Sequence, residues 1–287
     1  MNQADHEDFR PRDNSLKSRF PTLGLRFMVA LLGIPLMLGA SFLGGYWLLG
    51  LTAGLSLCGL WEFYGLARSK GLSPLKWWGL AGSLPLLAYL GFRLPWLLAL
   101  QVIWLLLLMS HLVFRAEVDK SLDRIGITAF GILYIPLLFG HMLLLRSDYG
   151  FTGYKLLFFS MALVWICDTG AYFTGMLLGR HPLAPHVSPK KSIEGLAGGL
   201  VVTLGAAFLL QRWWLWEMSP ADALLVAAGA VVLGTLGDLV ESLFKRDAQV
   251  KDTGTLLPGH GGILDRFDSM LFVIPFVYWY FRLLVIG

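Results

Sequence analysis

Nine apolar runs follow one another along the chain, and each approaches the length of about 20 residues that a transmembrane helix needs. Short polar segments separate the runs, and tryptophan and tyrosine cluster near several run ends, as in an interfacial belt. This pattern predicts an all-α, polytopic integral membrane protein with about nine transmembrane helices. The predicted spans are residues 27–43, 46–66, 78–92, 95–114, 125–145, 155–179, 195–211, 222–244 and 267–286.

Composition supports the membrane assignment. Hydrophobic residues make up 56% of the 287 residues, charged residues make up only 15%, and the mean hydropathy is +0.65. A soluble chain of this length would need far more polar surface. The two cysteines, Cys58 and Cys167, both lie inside apolar runs. We interpret them as small buried side chains rather than as a disulfide or a metal site.

Lysine and arginine positions predict the orientation. With a cytoplasmic N-terminus, 18 of the 23 lysines and arginines fall on the inner side, as the positive-inside rule requires. This excess of lysine and arginine on the inner side also explains most of the net charge of +4, so the charge does not indicate nucleic-acid binding. The polar loops 180–194 and 245–266 then face the cytoplasm together. Residues 1–26 are predicted to form a polar N-terminal tail, and residues 27–287 a single transmembrane catalytic domain.

Charged side chains are concentrated between the last two predicted spans, from Ser242 to Asp268. Charge beside hydrocarbon is costly, so ionisable clusters at a membrane are candidates for functional sites. Asp238, Glu241, Ser242 and Lys245 share one helical face by their spacing. Glu241 and Lys245 can simply neutralise each other. Asp238 has no local cation and lies about 9 Å below the end of its span.

Two further carboxylates, Asp265 and Asp268, begin the last span. In a first turn such acids can simply interact favourably with the helix dipole. Together with Asp238 and Glu241 they make four carboxylates at two adjacent span ends, enough hard oxygen ligands for Mg²⁺, which prefers carboxylates combined with substrate phosphates. Gly261 and Gly262 would let backbone N–H groups approach phosphate oxygens. The combination favours a metal-bound phosphate substrate over a plain loop turn.

A second polar element surrounds the end of the sixth span. Asp168 lies about 16 Å into the membrane, a depth that favours a functional role over a purely local hydrogen bond. The loop from Ser188 to Ser192 reads S-P-K-K-S and is a candidate triphosphate cradle. The positive-inside rule alone would also place lysines there. Glu62, inside the second span, is isolated and receives no role from the sequence.

The segment from Ser242 to Asp268 resembles the signature of the phosphatidate cytidylyltransferases, also called CDP-diacylglycerol synthases. The resemblance extends to Asp168-Thr169 and Asp238, to the S-P-K-K-S loop, and to the length of the bacterial members. The signature residues are Ser242, Lys245-Arg246, Lys251-Asp252, Gly254, Pro258, His260-Gly261-Gly262 and Asp265-Arg266-Phe267-Asp268.

The resemblance implies transfer of a cytidylyl group from CTP to phosphatidate, giving CDP-diacylglycerol and pyrophosphate. The implied partners are CTP, phosphatidate in the bilayer and membrane lipids, without nucleic acid. The resemblance alone also suggests a homodimer. The implied location is an integral membrane position in a bacterial inner (plasma) membrane, with the site at the cytoplasmic interface.

The resemblance also implies a role for each of the candidate site residues. The cofactor would be Mg²⁺, with a second metal ion conceivable, because one phosphate anion must approach another and the repulsion needs screening. The metal ligands would be Asp238, Asp265 and Asp268, with Asp168 as a further ligand or neighbour. The catalytic residues would be Asp238, Asp265, Asp268, Lys251 and His260. The substrate-binding residues would be Ser188, Lys190, Lys191, Ser192, Ser242, Lys245, Arg246, Gly261, Gly262 and Arg266.

Three other functions fit the sequence less well. A transporter could also use buried acids in a glycine-rich bundle, but no half-to-half repeat is visible and the charges gather on one face. A CTP-using lipid kinase shares much of the substrate chemistry. A CDP-alcohol phosphotransferase would carry a D-G-x-x-A-R run, which this sequence lacks.

Overall fold

The computed structural model describes residues 20–114, 119–254, 256 and 261–285, with side chains from residue 31 onward except that of residue 151. Residues 1–19 of the predicted tail and the catalytic candidate His260 lie outside this part of the chain. The first helix begins at Phe20, inside the segment that was predicted to be a polar tail.

Ten α-helices make up most of the described chain, and each predicted span lies on helix over nearly all of its described residues. The helices are α1 (Phe20–Leu43), α2 (Gly45–Ser69), α3 (Lys76–Phe92), α4 (Pro95–Phe114), α5 (Ser121–Tyr134), α6 (Pro136–Asp148), α7 (Gly150–Leu178), α8 (Ile193–Trp213), α9 (Pro220–Asp247) and α10 (Leu264–Tyr280). A short π-helical turn, Phe281–Val285, follows α10.

The predicted span 125–145 is divided into two helices. Helix α5 ends at Tyr134 and α6 begins at Pro136, with Ile135 between them at φ −106° and ψ −68°. Proline has no backbone N–H and its ring crowds the preceding turn, so it fits the first position of a helix better than the interior.

Six helical stretches among the described residues are long and apolar enough to cross a membrane, with α5 and α6 counting together. They are Pro95–Phe114, Ser121–Asp148, Thr152–Leu178, Ile193–Trp213, Pro220–Asp247 and Leu264–Val285. The helical, membrane-integral character is therefore confirmed. The count of nine spans and the side of the N-terminus stay predictions.

One element departs from the all-α prediction. Residues 180–194 were predicted to be a loop, but Pro182–Ala184 (β1) and Ser188–Ser192 (β2) form an antiparallel hairpin, and residues 193 and 194 begin α8. The Glu194 carboxylate stabilises the start of this hairpin, because it accepts hydrogen bonds from the N–H groups of Arg180 (3.0 Å) and His181 (3.2 Å). The Ser192 hydroxyl accepts from the N–H of Gly195 at 3.0 Å and caps α8, so the hairpin leads directly into that helix.

Helices α7 and α8 approach each other closely through small residues. A Cβ atom added at Gly199 would lie 3.1 Å from Ala171 Cβ and 3.2 Å from the carbonyl oxygen of Cys167. Small residues at such positions let membrane helices pack with their backbones near each other. This contact brings the middle of α7, where Asp168 lies, beside the start of α8 and the hairpin.

The loops gather at two opposite ends of the bundle. At one end, Arg246 at the end of α9 donates to the carbonyl oxygen of Val187 in the hairpin at 3.2 Å. Lys70 after α2 pairs there with Asp247 at 2.9 Å. We call this the hairpin end. At the other end, Arg93 pairs with Asp148 at 2.9 Å.

Candidate active site

A cavity of about 450 Å³ lies between α7, α8, α9, α10 and the hairpin, on the side of the bundle nearer the hairpin end. Its polar wall includes Asp168, Asp238, Lys190 and Lys191, whereas aliphatic and aromatic side chains cover much of the rest. The lining residues are Cys167, Asp168, Ala171, Tyr172, Gly175, Met176, Leu183, Lys190, Lys191, Ser192, Gly195, Leu196, Thr235, Asp238 and Ser269. Of the sequence-predicted residues, Lys190, Lys191 and Ser192 of the hairpin and Asp168 of α7 thus share one cavity with Asp238, whereas Ser188 does not line it.

Three carboxylates meet where α9 and α10 pack together. One oxygen from each of Asp238, Glu241 and Asp268 lies within 4.8 Å of the other two. We call these three the carboxylate cluster. A Cβ atom added at Gly237 would lie 2.5 Å from the carbonyl oxygen of Asp268, so the absence of a side chain there permits this close packing of α9 and α10. Sequence reasoning assigned two of the three, Asp238 and Asp268, to the metal. It counted Glu241 among four candidate carboxylates but left it out of the ligand set.

The carboxylate cluster fits a hard divalent cation. The Glu241 side chain is only 2% exposed, and its Oε1 atom has no hydrogen-bond partner among the described residues. While the neighbouring carboxylates are ionised, they have no proton to donate to this atom. A buried carboxylate oxygen without a donor is costly unless a cation approaches it. Carboxylate oxygens from three residues suit Mg²⁺, which binds a few carboxylates and keeps positions for phosphate and water.

Asp265, the other predicted metal ligand, lies outside the carboxylate cluster and is engaged by protein donors. Its Oδ2 atom accepts from the N–H of Gly262 (2.8 Å), the N–H of Thr253 (2.9 Å) and the Thr253 hydroxyl (2.9 Å). Its Oδ1 atom accepts from Lys245 Nζ at 2.7 Å. Through Asp265, these bonds connect Lys245 on α9 to the segment before α10, which includes Thr253 and Gly262.

Lys245 joins the two carboxylate groups. Its ammonium lies 2.7 Å from Glu241 Oε2 and 2.7 Å from Asp265 Oδ1, and its side chain is only 15% exposed. A lysine paired twice in this way is placed to hold the site together. Its predicted phosphate contact stays a prediction.

The hairpin lysines approach the site from the other side of the cavity. Lys191 on β2 forms an ion pair with Asp238, and Lys190 lines the cavity. Ser192 also lines it while capping α8, and Ser188 is half-buried at the start of β2. On α9, the Ser242 hydroxyl donates to Asp238 at 3.2 Å.

The remaining predicted residues lie at the hairpin end. The side chains of Arg246, Lys251 and Arg266 are all exposed. Gly261 has a φ of +84°, a conformation that favours glycine. The N–H of Gly262, predicted to approach a phosphate, instead donates to Asp265.

Glu62 is a site residue that sequence reasoning left without a role. Its side chain on α2 is buried, with the residue 3% exposed, and it reaches the start of α10. Oε1 accepts from the N–H of Ile263 at 2.9 Å, and Oε2 accepts from the N–H of Leu264 at 3.0 Å. The only signal in the sequence was a lone acid inside an apolar span, which indicates a partner without naming it.

Comparison with known proteins decides the family. A family profile described as "Cytidylyltransferase family" matches residues 24–284, a range that contains every site residue described above. The chain belongs to the cytidylyltransferase family. This profile, together with relatives named phosphatidate cytidylyltransferase, confirms the resemblance to the bacterial members and the prediction of a nucleotidyltransferase.

Relatives in this cytidylyltransferase family extend over most of the chain. A phosphatidate cytidylyltransferase of Staphylococcus epidermidis is 34% identical over 260 residues, which are 88% of this chain and 96% of the relative. One of Synechocystis sp. is 32% identical over 289 residues, covering 91% and 97%. One of Bacillus subtilis is 42% identical over 176 residues, covering 61% of this chain and 64% of the relative.

Proposed function

We propose that this protein transfers the cytidylyl group of CTP to phosphatidate, giving CDP-diacylglycerol and pyrophosphate. The observation that carries the proposal is the carboxylate cluster of Asp238, Glu241 and Asp268 next to a cavity with Lys190 and Lys191 on its wall. The names of the relatives, phosphatidate cytidylyltransferase in each case, supply the substrates. The alternative functions weighed from the sequence receive no comparable support.

A divalent metal ion, Mg²⁺ in the first instance, belongs to this proposal. Asp238, Glu241 and Asp268 would hold it, and Asp168 on the cavity wall would contribute to the negative potential there. When bound, the metal supplies positive charge that stabilises developing negative charge on phosphate oxygens. Lys245 keeps Glu241 oriented through its 2.7 Å hydrogen bond.

The reaction needs no strong base. A phosphate oxygen of phosphatidate attacks the α-phosphorus of CTP, a new phosphorus–oxygen bond forms, and the bond to the bridging oxygen of the β-phosphate breaks. Pyrophosphate leaves with that electron pair. The difficulty is repulsion between two anions, and Lys190 and Lys191 would bind the CTP phosphates and reduce it. Positioning and charge, rather than proton transfer, would supply the catalysis.

The two substrates come from different phases. CTP is water-soluble, whereas phosphatidate stays in the bilayer, so the site must be open to both. We infer that the hairpin end faces the cytoplasm of a bacterial cell, in line with the positive-inside distribution. The aliphatic and aromatic part of the cavity wall, including Met176 and Leu196, would then face the lipid, and its polar part the nucleotide.

The test uses purified full-length protein in detergent with short-chain phosphatidate and α-labelled CTP, with Mg²⁺ or with EDTA. We expect label in the lipid phase and pyrophosphate in the aqueous phase, both only with Mg²⁺. Label that enters lipid from γ-labelled CTP instead would identify a lipid kinase and contradict the proposal.

A matched pair of variants tests the site itself. Asp238→Asn should abolish transfer while the protein still purifies as a folded species. Asp222→Asn is the control, because Asp222 lies near the opposite end of the same helix and contacts Ser219 and Tyr280. Comparable activity in both variants would remove the carboxylate cluster from the mechanism.

A further inference from the structure

The carboxylate of Glu62 connects α2 to the start of α10. Each of its two oxygens accepts one backbone N–H, from Ile263 at 2.9 Å and from Leu264 at 3.0 Å. These donors lie at the N-terminal end of α10, where N–H groups lack helical partners. A carboxylate in this position satisfies them with charge-assisted hydrogen bonds and interacts favourably with the helix dipole. Asp265 and Asp268 follow within the next four residues of the same helix.

A second connection runs through Thr253. Its hydroxyl lies 3.1 Å from Glu62 Oε2 and 2.9 Å from Asp265 Oδ2, and the residue is 8% exposed. A hydroxyl has one proton, so it donates to one of the two carboxylates at a time and holds both near itself. The connection continues from Asp265 to Lys245 and from Lys245 to Glu241, at 2.7 Å in each step. Glu241 is a member of the carboxylate cluster.

Two glycines border the Glu62 carboxylate closely. A Cβ atom added at Gly254 would lie 2.8 Å from Glu62 Oε1. One added at Gly262 would overlap the Glu62 carboxylate and the Thr253 hydroxyl. The glycines that border this contact are therefore required by the position of the Glu62 side chain, and that side chain is fixed from several directions.

We propose that Glu62 is a positioning residue for the carboxylate cluster, acting through the first turn of α10 and through Thr253, Asp265 and Lys245. It contacts neither the cavity nor the cluster itself. The inference deepens the proposed function, and it rests on that function for its kinetic consequences. Its consequence for metal binding is independent of which reaction the site performs.

The first test is Glu62→Gln in the full-length protein. Glutamine keeps the shape, but it has one carbonyl oxygen and places an amide donor against a backbone N–H. We expect the dissociation constant for Mn²⁺, measured by electron paramagnetic resonance on purified protein, to rise about 10–100-fold, as for other partners that orient metal ligands. The Mg²⁺ concentration for half-maximal transfer should rise in parallel. Glu217→Gln is the matched control, because Glu217 pairs with Lys155 at the opposite end and should leave both values unchanged.

The second test separates positioning from folding. Thr253→Val removes the hydroxyl at nearly constant volume, whereas Thr253→Ser keeps it. Valine should weaken Mn²⁺ binding in the same direction as Glu62→Gln, and serine should restore values near those of the wild type. Should Glu62→Gln fail to fold, this pair decides the question.

Three results would overturn the inference. One is a lowered unfolding temperature with an unchanged Mn²⁺ dissociation constant, which would make Glu62 a purely structural residue. Another is wild-type binding and activity in Glu62→Gln. The third is a wild-type protein that binds no Mn²⁺. By contrast, normal Mn²⁺ binding without transfer of label to lipid would refute the proposed function, while a weakened Mn²⁺ affinity of Glu62→Gln would still support the positioning role.

Discussion

Lys245 on α9 donates a 2.7 Å hydrogen bond to Asp265 on α10 while its ammonium also contacts Glu241 at 2.7 Å. One cation therefore balances two carboxylates. Glu241 belongs to the carboxylate cluster, and Asp265 binds the segment before α10. Both acids are nearly inaccessible, with side chains 2% and 6% exposed. Breaking a buried pair leaves uncompensated charge, so this contact is expected to govern both stability and activity.

The first prediction concerns Lys245→Met. This variant leaves Glu241 and Asp265 without their cation, and we expect the free energy of unfolding to fall by about 3–5 kcal/mol. Transfer activity should be lost in the same variant. Thermal unfolding in detergent, followed by tryptophan fluorescence, measures the first effect.

The control for Lys245 is Lys70→Met. Lys70 pairs with Asp247, the last residue of α9, but the side chains of that pair are 43% and 61% exposed. An exposed ion pair contributes about 0–1 kcal/mol. Equal destabilisation by the two variants would show that Lys245 has no special place in the site.

A second prediction distinguishes two aspartates of α10. Both were predicted from the sequence to bind metal, but Asp268 lies in the carboxylate cluster and Asp265 accepts four hydrogen bonds from protein donors. We expect Asp268→Asn to lose metal binding with little change in thermal stability. We expect Asp265→Asn to lower the free energy of unfolding by about 1–3 kcal/mol, because it leaves buried donors without an acceptor.

Both measurements are made on the same purified variants, with Mn²⁺ titration for the metal and thermal unfolding for stability. Asp222→Asn at the far end of α9 serves as the reference for an aspartate outside the site. A stable Asp265→Asn variant that loses only metal would restore the direct ligand role that the sequence suggested.

The helices were predictable because hydrophobicity over about 20 residues is a long and redundant signal. The break at Ile135 and Pro136 was marked in the sequence, but proline is tolerated inside membrane helices often enough that the residue alone did not decide. The hairpin was missed because strands as short as Ser188–Ser192 carry too few residues to show alternation.

The site was predictable where its residues follow one another along a helix. Spacing placed Asp238 and Glu241 on one face of α9, but the obvious i,i+4 partner of Glu241, Lys245, concealed its place in the cluster. The contact between Glu62 and Leu264 joins residues 202 positions apart. Local sequence patterns cannot relate residues so far apart in the chain, so this contact became visible only in the packed structure.

A third prediction uses the space around Gly262. A methyl group there would overlap the Thr253 hydroxyl and the Glu62 carboxylate, so Gly262→Ala should displace the segment before α10. We expect a loss of about 1–3 kcal/mol in unfolding free energy, as for other overpacked positions, and weakened Mn²⁺ binding. Gly205→Ala on α8 is the control, since a Cβ atom there meets nothing within 4 Å. Retained Mn²⁺ affinity in Gly262→Ala would mean that the segment can shift without disturbing the cluster.

The fourth prediction concerns Lys191, which pairs with Asp238 and lines the cavity. If it holds CTP phosphates, Lys191→Met removes a charged hydrogen bond of about 1.5–3 kcal/mol and raises the KM for CTP about tenfold or more. Steady-state kinetics at saturating phosphatidate measures this change.

The Mn²⁺ affinity of Lys191→Met should not fall together with its affinity for CTP. The ammonium of Lys191 and a metal ion are both attracted to Asp238, and two neighbouring cations repel each other. Removing the lysine charge should therefore leave Mn²⁺ binding unchanged or tighter, even as CTP binding weakens. Lys70→Met should change neither quantity, because Lys70 pairs with Asp247 on the surface. Loss of both Mn²⁺ and CTP affinity in Lys191→Met would instead mean that the lysine supports the architecture of the cluster. Opposite shifts would assign the lysine to the nucleotide and the aspartate to the metal.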